Sequence, residues 1–475
     1  MIVVGVDIGT THIKAAAINH NGSLLAVVQR HNSTISPRPG HQEQDPEAIF
    51  RLTSSALKAL LKQASIADMP IQAVVFSAAM HGLTATDKNN HVLCPVWIWS
   101  DTRASVEAQQ LIKSNPAIYQ ATGVPIHPMS PMVKLRWMQK HTSAIFKQAA
   151  HFYDIKSYVW KRLTGRFEND FGCASASGLL NIHHKIWEPA ALTWASVDEN
   201  QLPKPVSTRH AAFYNGADPL LKKRLHQVPL VIGSSDGAMA NLGSGAVDSG
   251  QIAITIGTSA AIRGVFAQPT FDKQMRTFCY CLDDDRYIVG GASNNGANVL
   301  EWVRQLLFSR RYKMEEMIRQ GMLTAPGAEG LTFTPHLLGE RAPIWTPKAV
   351  ANLTGLRSRH TYRHFIRAAM EGVLYNIKLI SEALPEPIQT IHASGGFSKS
   401  ADWVQMLADV FQKPVEIQQD GLDASLAGGV LHFLQQKNFS SAKTLSTVQP
   451  NPAFADSYEA AFQKFCKAAR IQREL

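Results

Sequence analysis

Membrane-length apolar runs are missing from this 475-residue chain: none reaches the roughly 18 residues that a helical span needs. The start of the sequence also lacks the basic segment and short apolar core of a secretory leader, because strand-like sequence begins at residue 2. The expected location is therefore the cytoplasm. Cysteine is scarce: Cys94, Cys173, Cys279, Cys281 and Cys466 are odd in number and unevenly spaced. That excludes a disulfide framework, and Cys279-Tyr280-Cys281 has no zinc spacing, so reduced structural thiols are expected. No basic helix interleaved with aromatics occurs, and Lys and Arg are scattered apart from local clusters such as 357–367. The net charge of +10 thus reads as a surface that attracts anionic substrates rather than one that binds nucleic acid.

What is present is an ordinary globular composition, 45% apolar and 18% charged, long enough for two or more domains. The first stretch, IVVGVDIGTTHIKAAA, reads as a β-hairpin whose turn gathers Asp7, Gly9, Thr10, Thr11 and Lys14. Gly9 permits close approach of backbone, and successive N–H groups in such a turn can cradle phosphate oxygens. The two hydroxyls can add donors, Lys14 can neutralise phosphate, and Asp7 can hold a hydrated Mg²⁺. A buried strand ending in a plain Gly turn is the alternative for this stretch alone.

The stretch has a partner. Residues 252–264 read IAITIGTSAAIRG, so that Asp7-Ile8-Gly9-Thr10-Thr11 aligns with Thr255-Ile256-Gly257-Thr258-Ser259. Two copies half a chain apart imply a duplicated unit, each half opening with the same turn, and only the first keeping the acid. A glycine-rich stretch at 243–250 places the boundary between a domain of residues 1–245 and one of residues 246–475. Apolar strands alternate with helical patterns in both halves, which predicts two α/β domains. Asp45-Pro46 marks a helix start running to Leu61, and the longest helix is expected within 357–384. Ligands of such folds gather at strand C-terminal ends, where most of the polar loops fall.

Asp236 follows an apolar strand in a Gly/Ser frame at the start of a helix, a position from which a carboxylate can accept an alcohol proton during phosphoryl transfer. A helix N-cap is its alternative role. Met80, His81, Asp101 and Arg103 end apolar stretches and read either as polyol-binding groups or as loop and surface-pair residues. Gly296, Gly395 and Gly396, with Gly257 and Thr258, form a candidate glycine wall for a nucleoside. Glu340-Arg341 puts a candidate ion pair in a turn, with Arg341 also able to reach substrate.

In this order along the chain, DIGTT with Lys14, EQDP, MHG, WSDTR, GSSDG, ITIGTS, GERAP and SGGFSKSADW resemble the FGGY carbohydrate kinases over nearly the whole length. The resemblance implies two duplicated ribonuclease H-like, actin-like ATPase domains with a cleft between them. It implies ATP and Mg²⁺ as cofactors and Asp236 as the catalytic base. Asp7 then takes the metal, and Thr10, Thr11 and Lys14 the phosphates. Gly257, Thr258, Gly296, Gly395 and Gly396 fall on the nucleotide side; Met80, His81, Asp101 and Arg103 fall on the substrate side. The blocks ANLGSGA, AITIGTSAAIR, GERAPIW and MEGVLYN resemble gluconate-type members more than xylulose-type ones. A gluconate carboxylate wants a cation, for which Arg103, Arg263 and Arg341 are the candidates. Gly82 after Met-His is xylulose-like, which keeps a xylulose or other pentulose kinase as the alternative. An actin- or Hsp70-like ATPase switch is the alternative of another class. The expected partner is a small sugar or sugar acid, with no nucleic acid or membrane; a homodimer stays open.

Overall fold

The first seven-residue strand is apolar except at Asp7 and is buried along its whole length, as a strand covered on both faces must be. The computed structural model of the protein describes residues 1–309, 311–418, 423–437, 439 and 444–470. Two large sheets dominate it. The first holds β1 (Ile2–Ile8), β2 (His12–Asn19), β3 (Leu24–His31), β4 (Ile71–Ala78), β5 (Ala211–Ala212) and β6 (Leu230–Ser235), in the order β5-β6-β4-β1-β2-β3. The second holds β7 (Gln251–Ile256), β8 (Ala260–Phe266), β9 (Phe278–Cys281), β10 (Tyr287–Ser293), β11 (Thr390–Ser394), β12 (Val415–Gln418) and β13 (Thr444–Val448). Its order is β9-β10-β8-β7-β11-β12-β13.

The two sheets repeat one plan. In the first, β1 pairs antiparallel with β2 and parallel with β4, and β4 pairs parallel with β6. In the second, β7 pairs antiparallel with β8 and parallel with β11, and β11 pairs parallel with β12. The duplication expected from the two hairpin turns is therefore built into the sheets. Helices flank them: α1 (Pro46–Leu61), α2 (Ile155–Thr164), α3 (Asp236–Gly243), α4 (Ala297–Phe308), α5 (Tyr362–Ser381) and α6 (Ala424–Leu434). The Asp45 side chain caps α1 with Pro46 in the first turn, as its sequence predicts. The 20-residue α5 is the longest helix among the described residues and lies within the segment expected for it, starting at its Thr361 cap. No helix among the described residues is long and apolar enough to cross a membrane.

One helix leaves its own half. Although α6 comes late in the chain, its Leu426, Ala427 and Val430 pack with Val3, Val75 and Val231 of the first sheet. There it crosses α3 with almost no side chain between. A Cβ on Gly428 would lie 1.8 Å from the Met239 carbonyl oxygen, and one on Gly243 would lie 1.9 Å from that of Ala424. Helix backbones meet only where side chains are absent at the contact. Gly428→Ala should therefore cost about 1–3 kcal/mol and lower the thermal unfolding midpoint. Gly429→Ala, whose Cβ would meet Val75 at an ordinary 3.7 Å, should leave the midpoint unchanged or raise it.

Candidate active site

The helix crossing sets the floor of a cleft of about 1260 Å³ lined by both halves. Asp7, Lys14, Met80, His81 and Asp236 line it from the first half, with Gly395 and Gly396 from the second. Asp7 and Lys14 sit opposite each other in the β1–β2 register, which places acid and cation side by side at the end of the hairpin. The Ser77 hydroxyl on β4 donates to Asp7 Oδ1 at 2.6 Å. At the equivalent place in the second sheet, the Thr255 and Ser394 hydroxyls lie 2.9 Å apart. The same pair of positions holds a carboxylate in one half and a hydroxyl in the other.

Three acids converge at this end. Burial first, then the charges of Asp423 and Asp236, push the Asp7 carboxyl up to about 7. Asp423 arrives on α6, where it caps the backbone N–H groups of Ser425 and Leu426, and it binds Lys14 Nζ at 2.5 Å. Burial works against the Lys14 charge, but the hydrogen bond and charge of Asp423 outweigh it and hold the lysine above its ordinary pKa. Nothing in the local sequence marks Asp423 as a site residue. Its role follows from where α6 packs.

Asp236 is not the N-cap of α3. Ser235 takes that role, its hydroxyl accepting from Ala238 N at 3.2 Å, and Asp236 is the first helical residue. Among the described residues its carboxylate accepts only the Gly237 N–H, at 2.7 Å, and it faces the cleft. Burial raises its pKa, while the Gly237 N–H and the charges of Arg263 and Lys156 pull it back. Such a carboxylate is poorly hydrated and more basic than a free one, which suits it to take a proton from a hydroxyl. Lys156 stands behind it on α2, fully buried, paired with Asp170 at 2.7 Å and donating to the Ser234 carbonyl at 2.7 Å.

His81, on another part of the lining, sits at a positive φ of 65°, with Nδ1 on the Ala176 carbonyl at 2.8 Å. Burial, then the charge of Lys134, drives its pKa down to about 3, so the ring is neutral. Nδ1 therefore carries the proton and Nε2 is left as an acceptor. Lys134 fixes this loop by donating to the carbonyls of His81, Trp97 and Ile98 at 2.7, 3.0 and 2.8 Å. Trp99, Tyr280, Arg263 and Arg341 complete the wall.

Other predicted residues stand elsewhere. Asp101 and Arg103 do not line the cleft and are not a surface pair either. Asp101 is fully buried, and Arg103 spends its fork on Asp101 and Glu43 with its guanidinium 4.0 Å from the centre of the Trp97 ring. Glu340 and Arg341 are not an ion pair: the Glu340 carboxylate accepts from Ser293, Asn295 and Asn376, while the Arg341 guanidinium turns to the cleft. Thr11 is exposed, and Thr10 lines a small hollow beside the turn rather than the cleft. Gly257, Thr258 and Gly296 form a hydrogen-bonded turn at the start of α4 through Gly296 N to Thr258 O and Ala297 N to Gly257 O, with open space where a Cβ on Gly257 would stand; their neighbours Ser259 and Ala260 line the cleft.

Residues 2–243 match the N-terminal domain of the FGGY family of carbohydrate kinases, and residues 252–432 match its C-terminal domain. The chain belongs to the FGGY family of carbohydrate kinases. This FGGY kinase is 36% identical to a gluconokinase of Bacillus subtilis (strain 168), over 90% of this chain and 86% of that protein. It is 29% identical to a xylulose kinase of Escherichia coli (strain K12), over 91% and 89% of the two chains. The crystal structure of gluconate kinase from Lactobacillus acidophilus superposes with a TM-score of 0.93 at 30% identity, covering 99% of this chain and 98% of that one. The duplicated actin-like fold implied by the ordered motifs is thus the fold of this FGGY kinase.

Lys156 gives a test of the electrostatics at Asp236. Removing its charge in Lys156→Met should raise the Asp236 pKa, so the acid limb of kcat/KM should move to higher pH. Because the change leaves Asp170 buried without its cation, Lys156→Met/Asp170→Asn should recover stability but keep the shifted limb. An unshifted limb would show that Lys156 acts only on the fold.

Proposed function

We propose that this FGGY kinase transfers the γ-phosphoryl group of ATP to the terminal hydroxyl of D-gluconate, giving 6-phosphogluconate. The observation that carries the transfer is the Asp236 carboxylate, relieved of capping by Ser235 and sharing one cleft with Asp7 and Lys14. The gluconokinase relatives support the choice of acceptor. Asp236 accepts the proton of the acceptor hydroxyl as the oxygen bonds to phosphorus, and the N-terminus of α3 favours the negative charge that develops beside it. His81 offers Nε2 as an acceptor to a substrate hydroxyl, on a loop that Lys134 holds in place.

Among the described residues no cluster of three His, Cys, Asp or Glu side chains forms a metal cage. Mg²⁺ is commonly held by one or two carboxylates together with substrate phosphates. Asp7, crowded by two other acids, is the residue that would hold it, and the ion would neutralise phosphate charge there. Lys14 and the first turn would take the phosphates, with Gly395 and Gly396 against the nucleoside. Closure of the two halves on both substrates would exclude water and limit wasteful hydrolysis. The enzyme is read as cytoplasmic.

A pentulose such as xylulose is the second reading, favoured by Gly82 after Met80-His81. A coupled assay with ATP and gluconate, xylulose, ribulose or glycerol separates them. Gluconate should give the highest kcat/KM, and a higher value for xylulose would overturn the choice of acceptor. Asp236→Asn should lower kcat by about 10²–10⁴-fold and leave ATP affinity near wild type; near-normal turnover would remove Asp236 from the base role.

A further inference from the structure

Buried cations in this protein are almost all spent on a partner. Arg103 is paired with Asp101 and Glu43, Lys156 with Asp170, and Arg367 with Glu371. Lys134 is spent on three carbonyls. Arg341 is half spent: Nη2 donates to the Ser293 carbonyl at 3.1 Å and the guanidinium lies 4.7 Å from the centre of the Trp99 ring, while Nε is buried without a partner. Arg263 is the exception. Rising from β8 into the cleft, it has no hydrogen bond and no ion pair within 4 Å among the described residues, and its Nη1 is buried without a partner. The Tyr280 hydroxyl on the same wall is buried and unpartnered as well, its ring stacked on Phe278 at 4.4 Å.

The charge of Asp236 faces this guanidinium without a hydrogen bond or ion pair to it. Taking such a cation out of water is costly, and a neutral sugar hydroxyl would not cancel what charge remains. A carboxylate does, and it accepts two parallel N–H bonds from the fork, which no hydroxyl can. Gly237 leaves the space for this, since a Cβ there would already stand 3.5 Å from Arg263 Nε. Of the three arginines that could serve a sugar acid, Arg103 is consumed behind Trp97 and Arg341 is braced against the wall. We propose that Arg263 holds the carboxylate of the acceptor, with Arg341 and the Tyr280 hydroxyl completing its anion pocket. The assignment rests on the sugar-acid reading of the cleft. It makes Arg263 the residue that separates acids from neutral polyols of the same length.

The test titrates the full-length protein with D-gluconate and with D-glucitol, which has the same carbon chain but a neutral end. The wild type should bind gluconate about 100-fold more tightly or better. Arg263→Met should weaken gluconate by about 100-fold and glucitol by less than about threefold, and Arg263→Lys should recover about tenfold for gluconate. The Met variant should melt close to wild type, because no hydrogen bond or ion pair among the described residues is lost with the guanidinium. Equal weakening of both ligands would overturn the assignment and put Arg263 at the transferring phosphoryl group or in the fold. Unchanged gluconate binding would also overturn it. Failure of the sugar-acid reading shows separately, as a wild type that does not phosphorylate gluconate.

Discussion

The contact on which the site depends is the crossing of α3 and α6, where Gly243 and Gly428 let two helix backbones touch. Each helix starts at the cleft. The first residue of one is Asp236, and the cap of the other is Asp423. With no side chains between the helices to give way, these two carboxylates are held at fixed places near Asp7 on β1. A helix that belongs by sequence to the second half thus meets the first half's Lys14 through Asp423. Anything that spreads the crossing moves Asp236 and the Asp7–Lys14 turn relative to each other.

From that contact follows an electrical polarity along the cleft. Asp7, Asp236 and Asp423 crowd one region with Lys14 as their near cation, and burial lifts the Asp7 carboxyl towards neutrality. Arg263 and Arg341 supply the opposite sign on the wall that also carries Trp99 and Tyr280, and burial draws Arg341 down to about 10. Each set of charges is expensive alone and useful with substrate present, since ligand charge offsets what protein groups do not. The neutral His81, held by a carbonyl on one ring nitrogen, adds hydrogen-bonding direction without further charge.

The hairpin and its partner were legible because Gly-Thr turns after apolar runs occur in both halves, and the sheets place Asp7 beside Ser77 just as Thr255 lies beside Ser394. Asp236 was legible as a carboxylate at a helix start; that it escapes capping depended on Ser235, one residue away, which pattern alone does not decide. Asp423 was invisible, because only the long-range packing of α6 on the first sheet brings it to Lys14. Asp101 and Arg103 carried site-like chemistry in a motif, yet Trp97 and Glu43 enclose them. Adjacency also misled at Glu340-Arg341, where neighbouring residues of opposite charge face different surroundings. Residue type and spacing report the chemistry available; the sheet register and helix crossing decide which of it meets in one place.

The central claim is that one cleft brings the acceptor hydroxyl of a sugar acid to Asp236 and the phosphates to Asp7 and Lys14. A crystal structure of the protein with D-gluconate, Mg²⁺ and a non-hydrolysable ATP analogue tests it most directly. The terminal hydroxyl of gluconate should lie within about 2.6–3.2 Å of the Asp236 carboxylate, with the terminal phosphate beside Lys14. A gluconate bound with no hydroxyl in reach of Asp236, or a nucleotide whose phosphates avoid the Asp7–Lys14 turn, would contradict it.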